Sequence, residues 1–145
     1  MNLYKDTFKG LSLAALVALL AISGCKKDAP SSQEVIKSRM ISTSWEIKAV
    51  SIDGVDKTSM YAGMTLQFTP TTYTATKGGV IWPSSGTWSF NSDDGTTILR
   101  NDGLELTVQV TDATLDTSLY WQERTLGGGR LNSLQGNHVF SFSKL

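Results

Sequence analysis

From Trp45 onward, apolar and polar residues alternate with a period of two, in short runs separated by turn-forming residues. Such alternation places one face of a strand in the core and the other in water, which is typical of antiparallel sheets. The eight runs have as their core-side positions Trp45, Ile47 and Ala49; Met64, Leu66 and Phe68; Tyr73 and Ala75; Trp88 and Phe90; a short run over 97–100; Leu104, Leu106, Val108 and Val110; Leu115, Thr117, Leu119 and Trp121; and Phe140 and Phe142. The pattern predicts an all-β domain of eight strands.

The connections between these runs are mostly short and carry turn-forming pairs such as Asp53-Gly54 and Asp94-Gly95. Short connections make neighbours in sequence neighbours in space. An eight-stranded meander of half-buried strands closes into an up-and-down barrel, because closure removes exposed sheet edges. A two-sheet β-sandwich is the alternative, since the strands are short.

A short helix is predicted in front of the first strand. Ser31 and Glu34 fit a capping box, with Ser31 as the N-cap, and the helix is expected to run through about Ile41. Ile36 and Met40 lie four residues apart and so share one face. We expect this helix to cap the domain.

The N-terminal segment has the pattern of an export signal. Lys5 and Lys9 precede an apolar stretch over 11–22, which is followed by Ser23 and Gly24. A charged region, a short apolar region and small residues at a cleavage site are typical of a secretory signal peptide. Residues 1–24 are therefore left out of the predicted fold, residues 25–32 form a linker, and the barrel domain spans 33–145.

The only cysteine follows this cleavage site directly. The stretch Ile22-Ser23-Gly24-Cys25 resembles the lipobox of bacterial lipoproteins, which implies that Cys25 becomes the N-terminal residue and carries a diacylglyceryl group and an N-acyl chain such as palmitate. Several acyl chains hold a protein stably to a membrane. An ordinary cleaved signal with a free thiol is the alternative. The run Lys26-Lys27-Asp28 resembles the charged tags of surface lipoproteins in Bacteroidetes. This resemblance implies that the protein is located in the outer membrane. It leaves open whether the domain faces the periplasm or the cell surface.

Three stretches of the domain resemble the lipocalin-like lipoprotein domains of Bacteroidetes: residues 44–48, 82–90 and 126–130. The resemblance covers about residues 33 to 145 and implies a lipocalin-like barrel that binds a ligand through its open end. Lipocalins begin the first strand with Gly-x-Trp, and here Thr43 stands in the place of the glycine. Their second hallmark is an arginine near the last strand that packs over this tryptophan, for which Arg124 and Arg130 are the candidates.

Six residues are candidates for ligand contact: Trp45, Tyr61, Trp82, Trp121, Arg124 and Arg130. The alternative for Trp45 and Trp121 is that they fill the barrel as core residues, since small eight-stranded barrels are only wide enough for side chains. Trp82 lies in the loop 78–86, where it is either an exposed contact for a sugar or apolar partner or a side chain packed across the mouth. Loops 59–63, 78–86 and 125–136 are expected at or near the rims.

Composition narrows the function classes. The net charge is zero, so no nucleic-acid partner is indicated. His138 is the only histidine, and the chain lacks His-Glu-x-x-His and Gly-x-Ser-x-Gly motifs, so neither an enzyme, a metal site nor a cofactor is expected. We expect a monomer, anchored to the membrane, that binds a small hydrophobic or amphipathic ligand. The alternative is a filled barrel whose loops bind a protein or a glycan.

Overall fold

A computed structural model of the chain describes residues 28–122 and 134–145. Over these residues it contains one α-helix, α1 (Ser32–Ile41), a 3₁₀ turn (Thr58–Tyr61) and nine strands. The strands are β1 (Ser44–Ile52), β2 (Val55–Asp56), β3 (Thr65–Phe68), β4 (Thr72–Thr76), β5 (Ser85–Phe90), β6 (Thr97–Arg100), β7 (Glu105–Val110), β8 (Thr114–Trp121) and β9 (Gly136–Lys144).

Eight of these strands form a closed antiparallel barrel in meander order. From β3 to β9 each strand pairs with the next, and β1 pairs with both β3 and β9, which closes the ring. The β1–β9 seam runs from the pair Trp45↔Lys144 to the pair Ile52↔His138. This closure confirms the predicted up-and-down barrel and excludes the two-sheet sandwich. The two-residue strand β2 was not predicted, and it forms a short hairpin arm on the end of β1.

A β-bulge in β1 changes which of its residues face the core. The pairing with β9 shifts register between Ile47 and Ala49. Trp45 and Ile47 are buried as predicted, but Ala49 is exposed and Val50 takes the inward position. The prediction that Ala49 faces the core was wrong because one extra residue in a strand reverses the phase of its alternation.

Helix α1 covers one end of the barrel, which we call the helix end. The predicted capping box is confirmed: the Ser31 hydroxyl accepts from the Glu34 amide, and the Glu34 carboxylate accepts from the Ser31 amide. Met40 is fully buried, and its carbonyl oxygen accepts a hydrogen bond of 2.9 Å from Trp45 Nε1. The helix is thereby fixed over the first strand, and Trp45 lies directly beneath it.

The opposite end, which we call the loop end, carries the eight-residue connection 77–84 and two shorter turns. Residues 77–84 join β4 to β5 there, residues 101–104 join β6 to β7, and the hairpin of β1 and β2 turns there at Asp53-Gly54. Asp53 and Gly54 have φ values of 49° and 79°, as a two-residue hairpin turn of type I′ requires. The Asp53 carboxylate accepts from the Asn137 amide, which ties this turn to the start of β9. The loop end is therefore covered by connections between strands, whereas α1 covers the helix end.

Candidate functional site in the barrel lumen

The connection 77–84 folds back into the lumen from the loop end. Trp82 is only 1% exposed, and its ring makes edge-on contacts with Phe68, Tyr73 and Phe140 at centroid distances of 6.5, 5.5 and 6.3 Å. Ile81 beside it is fully buried. Of the two alternatives predicted for Trp82, the structure has the packed one: the side chain fills the entrance to the lumen.

A tight turn at the start of this connection directs Trp82 inward. The Trp82 amide donates to the Gly78 carbonyl at 3.1 Å, and a Cβ on Gly78 would lie only 2.5 Å from the Trp82 carbonyl oxygen. Lys77 and Gly79 on either side have φ values of 56° and 63°. Position 78 therefore has no room for a side chain, and the loop's conformation depends on the glycine.

Arg100 holds the Trp82 loop from inside the barrel. It lies on β6, two residues after the inward-facing Ile98, and is 2% exposed. Its Nη1 donates to the Ile81 carbonyl at 2.8 Å, and its guanidinium carbon lies 5.0 Å from the centroid of the Trp82 ring. A cation over the face of an indole is attracted by the ring's quadrupole, and more strongly where water is excluded. Arg100 thus contacts both the backbone and the side chain of the loop.

The charge of Arg100 is balanced by Asp102 on the following turn. Arg100 Nε and Nη2 each donate to one carboxylate oxygen of Asp102, in a bidentate pair. Burial is the largest influence on the pKa of Asp102 and by itself raises it, but the hydrogen bonds and charge of Arg100 together with the Leu104 amide outweigh burial and hold the pKa below its usual value. Asp102 is therefore ionised at neutral pH and compensates the buried guanidinium.

Three buried polar atoms near the ring of Phe140 have no hydrogen-bond partner within the part of the chain that the structure describes. They are Trp82 Nε1, Thr117 Oγ1 and His138 Nδ1. His138 is fully buried and stacks on Phe140 at a centroid distance of 5.9 Å, while its other ring nitrogen, Nε2, lies 2.6 Å from the Leu134 carbonyl oxygen. Buried polar groups in folded proteins almost always have partners, so this cluster marks a candidate site.

The candidate residues predicted from the sequence lie at both ends of the barrel. Trp45 is buried at the helix end, far from the entrance, where it fills the barrel beneath α1. Tyr61 is buried at the loop end with its ring edge-on to Phe140 at 5.1 Å, and burial raises the pKa of its hydroxyl. Trp121 is half-buried at the end of β8, paired with Gly136. The structure therefore brings together Tyr61 and Trp82, and it separates both from Trp45.

Three predicted residues lie outside the described part of the chain: Cys25, Arg124 and Arg130. The loop 125–136 falls there as well, except for its last three residues.

The sequence predictions did not include Arg100, Asp102, Thr117 or His138 as site residues. The signal for Arg100 was present, since a strand with Ile98 facing inward also points Arg100 inward, and a buried charge is the informative exception to the burial rule. The alternation likewise placed Thr117 on the core side of β8. The burial of His138 follows from its place on β9 two residues before Phe140, on the same inward face.

The outer surface carries a shallow cleft of about 370 Å³ across β7, β8 and β9. Its lining includes the exposed ring of Tyr120, the side chains of Glu105 and Asn137, and the hydroxyls of Thr107 and Ser118, which bond each other. These side chains face solvent, away from the lumen. The cleft is thus a second surface that could contact a partner.

No model of a known protein family matches this chain, and no curated protein is significantly similar to it. Among residues 28–122 and 134–145, no cluster of three or more potential metal ligands occurs. Within the same ranges, none of the helical structure is long and apolar enough to cross a membrane. The function of the chain is therefore inferred from the barrel itself and from the residues inside it.

Proposed function

We propose that the protein is a monomeric, non-enzymatic lipoprotein, anchored in the outer membrane through Cys25, whose barrel binds a small hydrophobic or amphipathic molecule through the loop end. One observation carries the binding role: the entrance to an apolar lumen is filled by Trp82, a residue of a loop, rather than by a strand residue. A loop side chain can move aside within the lumen without breaking the strand pairing that closes the barrel. The barrel can therefore admit a ligand while remaining folded.

The lumen has a polarity gradient that suits an amphipathic ligand. Toward the helix end the inward side chains are Phe142, Leu66 and Trp45, all buried and apolar apart from the indole nitrogen bound to Met40. Toward the loop end, Arg100 and His138 introduce polar atoms. An apolar group is favoured deep in such a pocket, and a polar group is favoured near its entrance.

Lipid binding can be tested by native mass spectrometry of the purified full-length protein after exposure to a total bacterial lipid extract. We expect at least one retained species of discrete mass, released when the protein is unfolded by acid. As a control, Tyr120→Ser on the outer cleft should retain the same species in the same proportion. Finding no retained species with the unsubstituted protein would refute binding in the lumen.

The second candidate function is a filled barrel that binds a protein or glycan on its surface. The outer cleft favours it, because Tyr120 is 52% exposed and stands beside a carboxylate and an amide that can bond sugar hydroxyls. The lipid-extract experiment separates the two candidates, since binding outside the barrel predicts no retained lipid. A glycan retained by the unsubstituted protein and lost with Tyr120→Ser would support the second candidate.

Membrane attachment through Cys25 gives a separate prediction. Replacing the thiol with Cys25→Ala removes the acceptor for diacylglyceryl transfer, so incorporation of labelled palmitate should fall to background, and globomycin should block processing of the unsubstituted chain. Cells expressing the unsubstituted protein should label strongly, with Ser31→Ala as a matched control that leaves labelling intact. Undiminished labelling of the Cys25→Ala protein would overturn the anchor.

A further inference from the structure

The three unpartnered polar atoms in the lumen impose a cost that the fold alone does not explain. A buried donor or acceptor without a partner is unfavourable, because it has left water and gained no hydrogen bond in return. Trp82, Thr117 and His138 each contribute one such atom. Apolar residues of similar shape would avoid the cost at the same positions. The polar atoms therefore point to a group that occupies the lumen and bonds them.

All three side chains surround the ring of Phe140. Thr117 is the direct cross-strand neighbour of Phe140, and His138 precedes Phe140 by two residues on the same inward face of β9. The Trp82 ring meets the Phe140 ring edge-on, and His138 stacks nearly parallel to it, with an interplanar angle of 12°. Thr117 and His138 are therefore diagonal neighbours on one face of the sheet, about 7–8 Å apart or less, a gap that a small ligand group can bridge. One small group can thus meet more than one of these atoms.

The hydrogen bond from His138 to the backbone determines what its free nitrogen offers. A carbonyl oxygen only accepts, so Nε2 must carry the hydrogen in its 2.6 Å contact with the Leu134 carbonyl. In a neutral imidazole Nδ1 is then an acceptor. Trp82 Nε1 is a donor only, and the Thr117 hydroxyl both donates and accepts. The site therefore combines a hydrogen-bond acceptor at His138 Nδ1, a donor at Trp82 Nε1, and the Thr117 hydroxyl, which can do both.

We propose that Trp82, Thr117 and His138 bind the neutral hydroxyl group of an amphipathic alcohol in the barrel lumen. A hydroxyl has one hydrogen to donate to His138 Nδ1 and two lone pairs that can accept from Trp82 Nε1 and from the Thr117 hydroxyl, so one hydroxyl can satisfy all three atoms. The inference rests on the proposed function, and it specifies the polar group that the ligand carries.

Charged groups fit this site less well. A carboxylate has no hydrogen to donate and would face the lone pair of His138 Nδ1. An ammonium group would face the Trp82 N–H, and it would lie near the Arg100 guanidinium, whose carbon is 5.0 Å from the Trp82 ring. Three of the five N–H donors of Arg100 already bond Asp102 and the Ile81 carbonyl, and Asp102 neutralises its charge, so Arg100 attracts a further anion only weakly. The site should therefore prefer an alcohol to the acid of equal chain length.

The test uses 1-hexanol and hexanoate as probes and the full-length protein with the substitution Thr117→Val. The dissociation constant is measured by NMR titration, following the indole N–H signal of Trp82, which is assigned by its loss in Trp82→Phe. We expect hexanol to shift this signal and to bind about tenfold more weakly to the Thr117→Val protein, as the loss of one buried hydrogen bond predicts. Without ligand, Thr117→Val should have an unchanged or raised melting temperature, because valine removes an unsatisfied hydroxyl.

Thr74→Val is the matched control, since Thr74 is exposed on β4 and should not affect hexanol binding. A lower melting temperature for Thr117→Val would overturn the inference by showing that the hydroxyl has a structural partner. Equal affinity for hexanol and hexanoate would overturn it as well. If hexanol does not bind while the lipid extract still yields a retained species, the hydroxyl site is wrong and lumen binding stands; if neither binds, both fail.

Discussion

Replacing Trp82 with alanine should lower the free energy of unfolding by about 3–5 kcal/mol, the range found when a buried aromatic residue is truncated. Trp82 is almost fully buried, and it contacts three aromatic rings and the Arg100 guanidinium. The substitution removes these contacts and leaves a cavity at the entrance to the lumen. It also removes the ring that lies against the buried cation, so the effect combines lost packing with a less favourable position for Arg100.

Urea unfolding followed by circular dichroism measures this loss directly. Val80→Ala is a matched control in the same loop, because Val80 is 59% exposed and its side chain therefore packs little against the core. We expect that control to change the stability very little. Equal losses for Val80→Ala and Trp82→Ala would show that the loop, rather than the Trp82 side chain, carries the stability, and would contradict its role as the filling of the entrance.

The alternation of apolar and polar residues predicted the eight strands, and the short connections between them predicted the barrel. Each of the eight runs corresponds to a barrel strand, because a strand that is half in water must alternate whatever its neighbours are. The exception is Ala49, which was assigned to the wrong face. The bulge arises from the register in which β1 pairs with β9. The sequence pattern of β1 alone does not show that register.

The contents of the lumen were harder to predict than its walls. Trp82 comes from a connection with no periodicity, so only the three-dimensional path of residues 77–84 could place it among Phe68, Tyr73 and Phe140. The inward orientation of its partner Arg100 could be predicted from the period-two pattern of β6. A charged residue at the end of a short strand is nevertheless usually solvated, so its burial was not expected. Pairing across the barrel, rather than local sequence, decides that this arginine is buried.

Buried polar groups connect the stability of this barrel with its proposed function. Arg100 is fully compensated and fixes the loop that fills the entrance, whereas the polar atoms around Phe140 are left without partners in the described structure. In a core selected for stability alone, apolar residues would stand in place of the unpartnered polar side chains around Phe140. The described structure thus holds a compensated ion pair and an uncompensated polar cluster at the same end of the barrel, and packing for stability accounts only for the ion pair.

Asp102→Asn should destabilise the protein by about 2–3 kcal/mol at neutral pH. The value lies below the 3–5 kcal/mol typical of breaking a fully buried ion pair, because Arg100 is completely buried while the Asp102 side chain remains 35% exposed and is partly screened by water. Asparagine keeps the shape of the side chain but leaves the guanidinium without a counter-charge. Asp112→Asn, which breaks the exposed pair with Arg39, is the control and should cost little.

The acid dependence of this effect follows from the lowered pKa of Asp102. A carboxyl whose pKa is lower in the folded than in the unfolded state contributes its full stabilisation above the unfolded value, about 3.9, and loses it as the pH falls through the folded value. The difference in unfolding free energy between the unsubstituted protein and Asp102→Asn should therefore be constant from about pH 7 to pH 5 and shrink below about pH 4. Urea titrations across this range measure it. A difference that persists undiminished at the acid end would show that Asp102 acts through its shape rather than through its charge.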